Sequence, residues 1–354
     1  MAYTNIDDPS AHFQAKAYSG SGTTQSITND GNSDLQPDWL WIKSHDGSYS
    51  NELVDSNRGT TKYLYSDLNN AETTSSTKVT SFNSDGFTLN SLAGSPLNSA
   101  TNNYIAWQWK ANGGTTSSNT SGTITSTVQA NTDAGFSIVT YTGNGSSGQT
   151  FGHGLGAVPQ VVFVKQRSST QAWTIYNKET GNASYLNFST AIAGSSSTAW
   201  DSTTPTSTLV TVGNNTLTNA SGATYVAYCF AEKQGYSSFG KYTGNGNANG
   251  SFVYTGFKPA YIMIKRIDST SNSHWIVMDS ARATYNVINT KLYANVLNSE
   301  ASLSGDNTST DFLSNGFKLR GTYTGVNDSG GSYIYMAFAE SPFVTSTGIP
   351  TTAR

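Results

Sequence analysis

One set of short sequence blocks recurs three times in the same order, and that repetition limits the chain to three related units laid end to end. The first block is a turn: Tyr18-Ser-Gly20, Tyr141-Thr-Gly143 and Tyr242-Thr-Gly244. The second is a run led by proline: Pro37-Asp-Trp-Leu-Trp-Ile-Lys43, Pro159-Gln-Val-Val-Phe-Val-Lys165 and Pro259-Ala-Tyr-Ile-Met-Ile-Lys265, each with a lysine six residues after the proline. The third pairs Leu53-Val-Asp55-Ser-Asn-Arg58 with Val277-Met-Asp279-Ser-Ala-Arg282, and Ile175-Tyr-Asn177 is a weaker echo. The fourth pairs Asp85-Gly-Phe-Thr-Leu89 with Asn315-Gly-Phe-Lys-Leu319. Each unit closes on Tyr104-Ile-Ala-Trp-Gln-Trp109, Tyr225-Val-Ala-Tyr-Cys-Phe230 or Tyr333-Ile-Tyr-Met-Ala-Phe338. The proline advances by 122 and then 100 positions and the closing tyrosine by 121 and then 108, so two landmarks share one period. Solenoid and propeller repeats run to roughly 20–50 residues, so each copy is of domain size.

The blocks are short, β-branched and aromatic, and bounded by Gly, Asn, Asp and Ser, which is the pattern of strands joined by turns. Proline suits the first position of a strand, where its missing N–H falls at the end of the ladder. Many short strands without crossover helices predict an all-β chain of three tandem antiparallel β-sandwich or jelly-roll-like domains. The expected division is 1–112, a Gly/Ser/Thr/Asn-rich linker over 113–134, then 135–238 and 239–354. The one stretch that offers a short helix runs from Ala281 to Leu297, and its β-branched residues weaken it. The segment 1–17 is expected to dock on a partner or on the first domain.

Charged residues make up 12% of the chain and aromatics 12%, with a net charge of −3. Low charge with many aromatics is the opposite of a disordered composition. The 19 basic residues are scattered, so no nucleic-acid footprint is expected. The single cysteine, Cys229, cannot close an intrachain disulfide. An acidic start with no apolar core is not the pattern of a secretory leader and none is expected, and no run reaches the roughly 18 apolar residues of a membrane helix, so no membrane insertion is expected.

Candidate chemistry is sparse. His12, His45, His153 and His274 lack partners at metal-ligand spacing, so no metal and no cofactor are expected. Gly143-Asn-Gly145-Ser-Ser-Gly148 matches a dinucleotide-binding pattern, but no helix follows to hold a pyrophosphate, and a turn needing positive φ is expected instead. No motif joins two carboxylates as glycoside hydrolysis requires, so no catalytic residues are assigned. Cys229 reads as a small buried hydrophobe in a strand. Asp55 with Arg58, and Asp279 with Arg282, suggest a carboxylate–guanidinium pair that stabilises a turn. Trp39 and Trp41 share one face of their strand, as do Trp107 and Trp109, while the apolar residues between them make both faces look buried. These four tryptophans with Asp55 and Arg58 are the candidate surface or subunit contacts, a sugar-stacking platform being the alternative for the rings.

The chain resembles a family of virion proteins of marine tailed bacteriophages. The residues that carry the likeness are Met1-Ala-Tyr-Thr-Asn-Ile-Asp-Asp8, the Tyr-Thr-Gly-Asn-Gly turns at 141–145 and 242–246, the proline-led strand at 37–43, Ser-Asp-Gly-Phe-Thr-Leu at 84–89 and Tyr-Ile-Ala-Trp-Gln-Trp-Lys at 104–110. The resemblance spans essentially the whole chain. It implies a non-enzymatic structural protein associated with the tail or fibre, made in the host cytoplasm and exposed on the extracellular particle. Expected partners are other virion proteins, further copies of the chain in a homo-oligomer (a trimer by analogy with fibres), and a host surface polysaccharide. A capsid decoration or head-fibre protein is the alternative, and a polysaccharide depolymerase a more distant one.

Overall fold

The structure is a computed structural model and describes residues 2–91, 96–191, 194–195, 198–300 and 307–352. Met1 of the expected first unit and residues 353–354 of the expected third lie outside them. The first copy contains β1 (Phe13–Ser19), β2 (Gln25–Ile27), β3 (Trp39–Ser44), β4 (Glu52–Asp55), β5 (Lys62–Tyr65), β6 (Thr73–Thr74), β7 (Val79–Asn83), β8 (Gly86–Leu89) and β9 (Asn103–Trp109). The second contains β10 (Ser117–Asn119), β11 (Ser126–Asn131), β12 (Phe136–Thr142), β13 (Gln149–Gly152), β14 (Val161–Gln166), β15 (Thr174–Asn177), β16 (Ser184–Tyr185), β17 (Gly194–Ser195), β18 (Leu209–Val212) and β19 (Thr224–Phe230). The third contains β20 (Ser237–Thr243), β21 (Phe252–Tyr254), β22 (Phe257–Arg266), β23 (Trp275–Asp279), β24 (Leu292–Tyr293), β25 (Thr310–Leu313), β26 (Gly316–Leu319) and β27 (Ser332–Pro342).

The all-β expectation holds, and the named strands pair antiparallel. Each unit sets a large sheet against a small one: β1-β9-β3-β4-β5-β6 on β2-β8-β7, β10-β11-β12-β19-β14-β15 on β13-β18, and β20-β27-β22-β23-β24 on β21-β26-β25. Four residues wind into a helical turn at Thr216–Asn219 and again at Thr324–Asn327. The stretch 281–297 holds β24 rather than a helix, its β-branched residues having prevailed. The segment 113–134 is not a free linker, because it carries β10 and β11, and β11 adds to β12 along its whole length. The boundary near 236–239 falls at the start of β20.

Alternation along the central strands serves two cores. Leu40, Ile42, Tyr104 and Ala106 face inward against the small sheet of the first unit. Val162, Val164, Tyr225 and Ala227 do the same in the second, and Ile262, Ile264, Tyr333 and Ala337 in the third. The intervening residues turn to the other side, where all three large sheets meet in one aromatic core containing Trp39, Trp41, Trp107, Trp109, Phe163, Tyr228, Phe230, Tyr261, Met263, Met336 and Phe338. Trp109, Phe230 and Phe338 are the same position of the repeat, and their rings meet pairwise at centroid separations of 5.6, 6.0 and 6.5 Å. The units are therefore arranged about a pseudo-threefold axis. The N-terminal segment docks on the first unit over its later residues, where β1 pairs with β9 and Ser33 Oγ donates to Asp8 (2.6 Å), as expected. Its first residues go further and close the ring: Tyr3 Oη donates to the Gly256 carbonyl (2.6 Å) and the Ser346 amide to Asp7 (2.6 Å) in the third unit, and Thr4 Oγ1 to the Gln234 carbonyl (2.7 Å) at the end of the second.

Candidate functional site: the junctions between units

Strand register makes Asp55, Asn177 and Asp279 equivalent, since each lies opposite the first core residue of its proline-led strand. The same logic makes Trp107, Tyr228 and Met336 equivalent. These positions meet across the junctions. Tyr228 of the second unit donates its hydroxyl to Asp55 Oδ2 of the first (2.6 Å), and Trp107 Nε1 of the first donates to Asp279 Oδ2 of the third (3.1 Å). At the remaining junction Asn177 is matched with Met336, so the carboxylate is missing where the donor is missing. A buried carboxylate stripped of its donors is costly, and loss of both together relieves that cost.

Each aspartate also holds its arginine. Arg58 Nε donates to Asp55 Oδ2 at 2.6 Å, and Arg282 Nε to Asp279 Oδ2 at 2.8 Å. Asp55 and Arg58 do close a turn, with the Arg58 amide donating to Asp55 (2.9 Å), but not at the surface: both side chains are wholly buried, and their network runs between units. Arg58 continues to Glu72 (2.9 Å), which also accepts two bonds from Arg167 of the second unit (2.7 and 3.0 Å). Burial alone would raise the Glu72 carboxyl, but the bonds from Arg167 and Arg58 outweigh it and hold the pKa below the ordinary glutamate value. At the junction of the third and first units, Glu300 lies 3.5 Å from Arg282 and 3.1 Å from His45. Sequence reasoning missed Glu72, Arg167 and Glu300, which carry no repeated signal.

A second ring of bonds repeats at all three junctions. Asn51 Nδ2 donates to the Tyr293 carbonyl (3.1 Å), Trp173 Nε1 to that of Tyr65 (2.7 Å), and Trp275 Nε1 to that of Asn187 (2.8 Å). The three lysines that follow the proline-led strands are buried and cap the irregular loops after them. Lys43 bonds the Tyr49 carbonyl and crosses to Leu297 (2.8 Å); Lys165 bonds Gln171 (2.7 Å) and crosses to Asn69 (3.2 Å); Lys265 bonds Ser273. Burial lowers their pKa values to about 8, 8 and 7 respectively.

The tryptophans form the contact between units and not an outer platform. None of Trp39, Trp41, Trp107 and Trp109 is more than 2% exposed. Trp39 stacks on Tyr228 of the second unit at 4.3 Å, and Trp107 and Trp109 pack edge-on against Tyr261 of the third at 5.6 and 5.9 Å. A sugar-stacking platform needs an open ring face, and these rings have none. Phe163, Tyr261 and Met263 carry the same role on the proline-led strands of the other two copies.

The glycine pattern at 143–148 belongs to a turn. Gly143 and its counterparts Gly20 and Gly244 are required by close approach, since an added Cβ would lie 2.4, 2.1 and 2.4 Å from a backbone oxygen. Positive φ applies two residues on, at Gly22 (+68°), Gly145 (+77°) and Gly246 (+65°). The tyrosines opening and closing each unit stack at 5.2, 5.1 and 5.0 Å, which fixes the turn against the last strand. Cys229 is buried in the second sandwich, and burial pushes its thiol up to about 12, away from nucleophilic reactivity.

The family described as a domain of unknown function (DUF7483) matches the chain over residues 8–342. The chain belongs to that family. A single DUF7483 match spans all three copies, so the family's unit is the triplicated body rather than one sandwich. No curated protein and no solved structure matches the chain.

Proposed function

We propose that the chain is a non-enzymatic structural protein of a bacteriophage virion, associated with the tail or its fibres and able to contact a host surface polysaccharide. The observation that carries this reading is the use of the repeated side chains. The repeated Trp and Tyr positions, the aspartates of two copies and two of the three lysines serve to join the units into one closed body. What the repeats encode is assembly. The resemblance of the turns and closing strands to marine phage virion proteins supplies the context.

The threefold order that fibre analogy places between three chains lies here within one chain. Such a body can seat on a threefold axis as a single copy and present three related but unequal faces. Antibody against the chain is expected to label one end of purified tailed particles. Label over the capsid shell would move the protein to the decoration or head-fibre reading, and absence from particles would overturn the virion reading. Release of new reducing ends from host envelope glycans would overturn the non-enzymatic one.

A further inference from the structure

The three copies differ at one edge of their large sheets, and the difference leaves a groove. In the second unit β11 lies along the free edge of β12, pairing Gln129 with Ile138 and Thr127 with Thr140. Two walls hold it: Ser126 Oγ donates to the Gly152 carbonyl (2.8 Å) on one side, and Gln129 and the Thr127 carbonyl bond Ser56 (3.1 Å) and Asn57 (3.3 Å) of the first unit on the other. In the third unit the equivalent edge is β20, where Phe239 fills the space as a buried ring and Lys241 reaches Glu179 of the second unit at 3.5 Å. Lysine on an edge discourages further pairing.

Among the described residues the first unit has no strand laid along this edge and no buried ring there, and its one edge lysine, Lys16, is held by Asp30 (2.8 Å) in a wall of the groove. Its equivalent edge is β1, and the residues standing where Ile138 and Thr140, or Phe239 and Lys241, stand are Ala15 and Ala17. β1 bonds β9 through its even-numbered residues, as the flanking bonds from Lys110 to His12 and from Gly20 to Asn102 show. The backbone groups of Phe13, Ala15 and Ala17 therefore point away from the sheet. Beside them runs a groove of about 360 Å³, walled by Asp30 and Gly31 on one side and by Ser280, Ala281 and Thr284 of the third unit on the other. These are the same two walls that hold β11, and Ser280 stands where Ser56 stands.

We propose that this groove receives an extended strand of a partner protein, paired antiparallel with β1 as β11 is with β12. The internal copy specifies the chemistry of the occupant. It is an uncharged strand mixing polar side chains with small apolar ones such as Val128 and Ala130, with an amide side chain opposite Ala15 able to reach Ser280 as Gln129 reaches Ser56. Affinity comes from main-chain bonds to the open edge, and selectivity from the narrow alanine-lined floor.

The test uses the full chain and a fluorescent synthetic peptide copying residues 122–132, read by anisotropy. Saturable binding is expected. It should weaken by at least about tenfold in Ala17→Lys, which copies the guard of the third unit, and in Ala15→Phe, which copies its filling ring, with the unfolding midpoint of at least one variant unchanged. Absence of saturation up to millimolar chain would overturn the proposal. So would equal binding by a folded variant, since the peptide would then be exchanging with β11. Concentration-dependent dimerisation of the unmodified chain that Ala17→Lys abolishes would assign the groove to a second copy and overturn the partner strand.

Discussion

Tyr228 and Asp55 lie far apart in sequence, yet their short bond joins the first two units inside a core closed to water. A hydrogen bond to a charged group contributes about 1.5–3 kcal/mol, more than a neutral pair, because the buried carboxylate has no water to replace the lost donor. Tyr228→Phe keeps the ring stacked on Trp39 and removes only the hydroxyl, so it should destabilise the chain by about 1.5–3 kcal/mol in urea unfolding. Unchanged stability would show that Arg58 alone satisfies Asp55. The indoles show where area outweighs polarity. Trp41 Nε1 finds Asn51 (3.1 Å) and Trp107 Nε1 finds Asp279, while no acceptor among the described residues reaches Nε1 of Trp39 or Trp109. An unmet N–H costs about 1–3 kcal/mol. Burying an indole of about 150–250 Å² at about 25 cal/mol per Å² contributes about 4–6 kcal/mol, so the two rings still favour the closed core.

At the level of the element, the turn and the closing strand act together. The stacked tyrosine pair sets the spacing, and Asn98, Asn219 and Asn327 each accept a backbone N–H from the residue after the turn glycine, at 2.9, 2.8 and 2.9 Å. The glycine is needed because the two backbones touch. Gly143→Ala would set a Cβ 2.4 Å from the Ala220 oxygen, and displacing that backbone should cost about 1–3 kcal/mol, read as a lowered thermal midpoint with native circular dichroism. A wild-type midpoint would mean that the turn yields freely. The repeated Tyr-x-Gly and closing Tyr were plain in the sequence, but their meeting was not, because 84 to 91 residues separate the two members. The opposite error befell 113–134. Its Gly/Ser/Thr/Asn composition signals a linker, yet edge pairing with β12 and the bonds to Ser56 and Asn57 recruit it as strand.

For the whole molecule, the central core makes the three sandwiches one cooperative body. A unit on its own would expose the aromatic face of its large sheet, so the intact chain should unfold in a single transition with coincident calorimetric and fluorescence midpoints. The lysines add a pH signature. In the unfolded chain they hold protons up to an ordinary value near 10.5, whereas burial lowers the folded values to about 8, 8 and 7. The unfolded state therefore binds more protons across that window, and stability rises with pH. The midpoint should climb between pH 7 and 9, beyond which ionisation of Cys229 in the unfolded chain begins to oppose it. Separate transitions for separate units, or a midpoint falling over that range, would refute a shared core with buried lysines.

The triplication, the β class and the burial of both faces of the proline-led strands were determined by sequence alone, because period-two alternation and turn residues are local signals that each copy restates. The copies even record the junctions in part: aspartate accompanies Trp107 or Tyr228, and asparagine accompanies Met336, a pattern that becomes intelligible once the partners are known. Tertiary structure alone decided what the outward tryptophans face. A buried aromatic stripe has the same sequence whether it meets another chain, a sugar or a sister unit. Closure about the pseudo-threefold axis selects the sister unit, since it buries all three aromatic faces at once without bringing in a second chain.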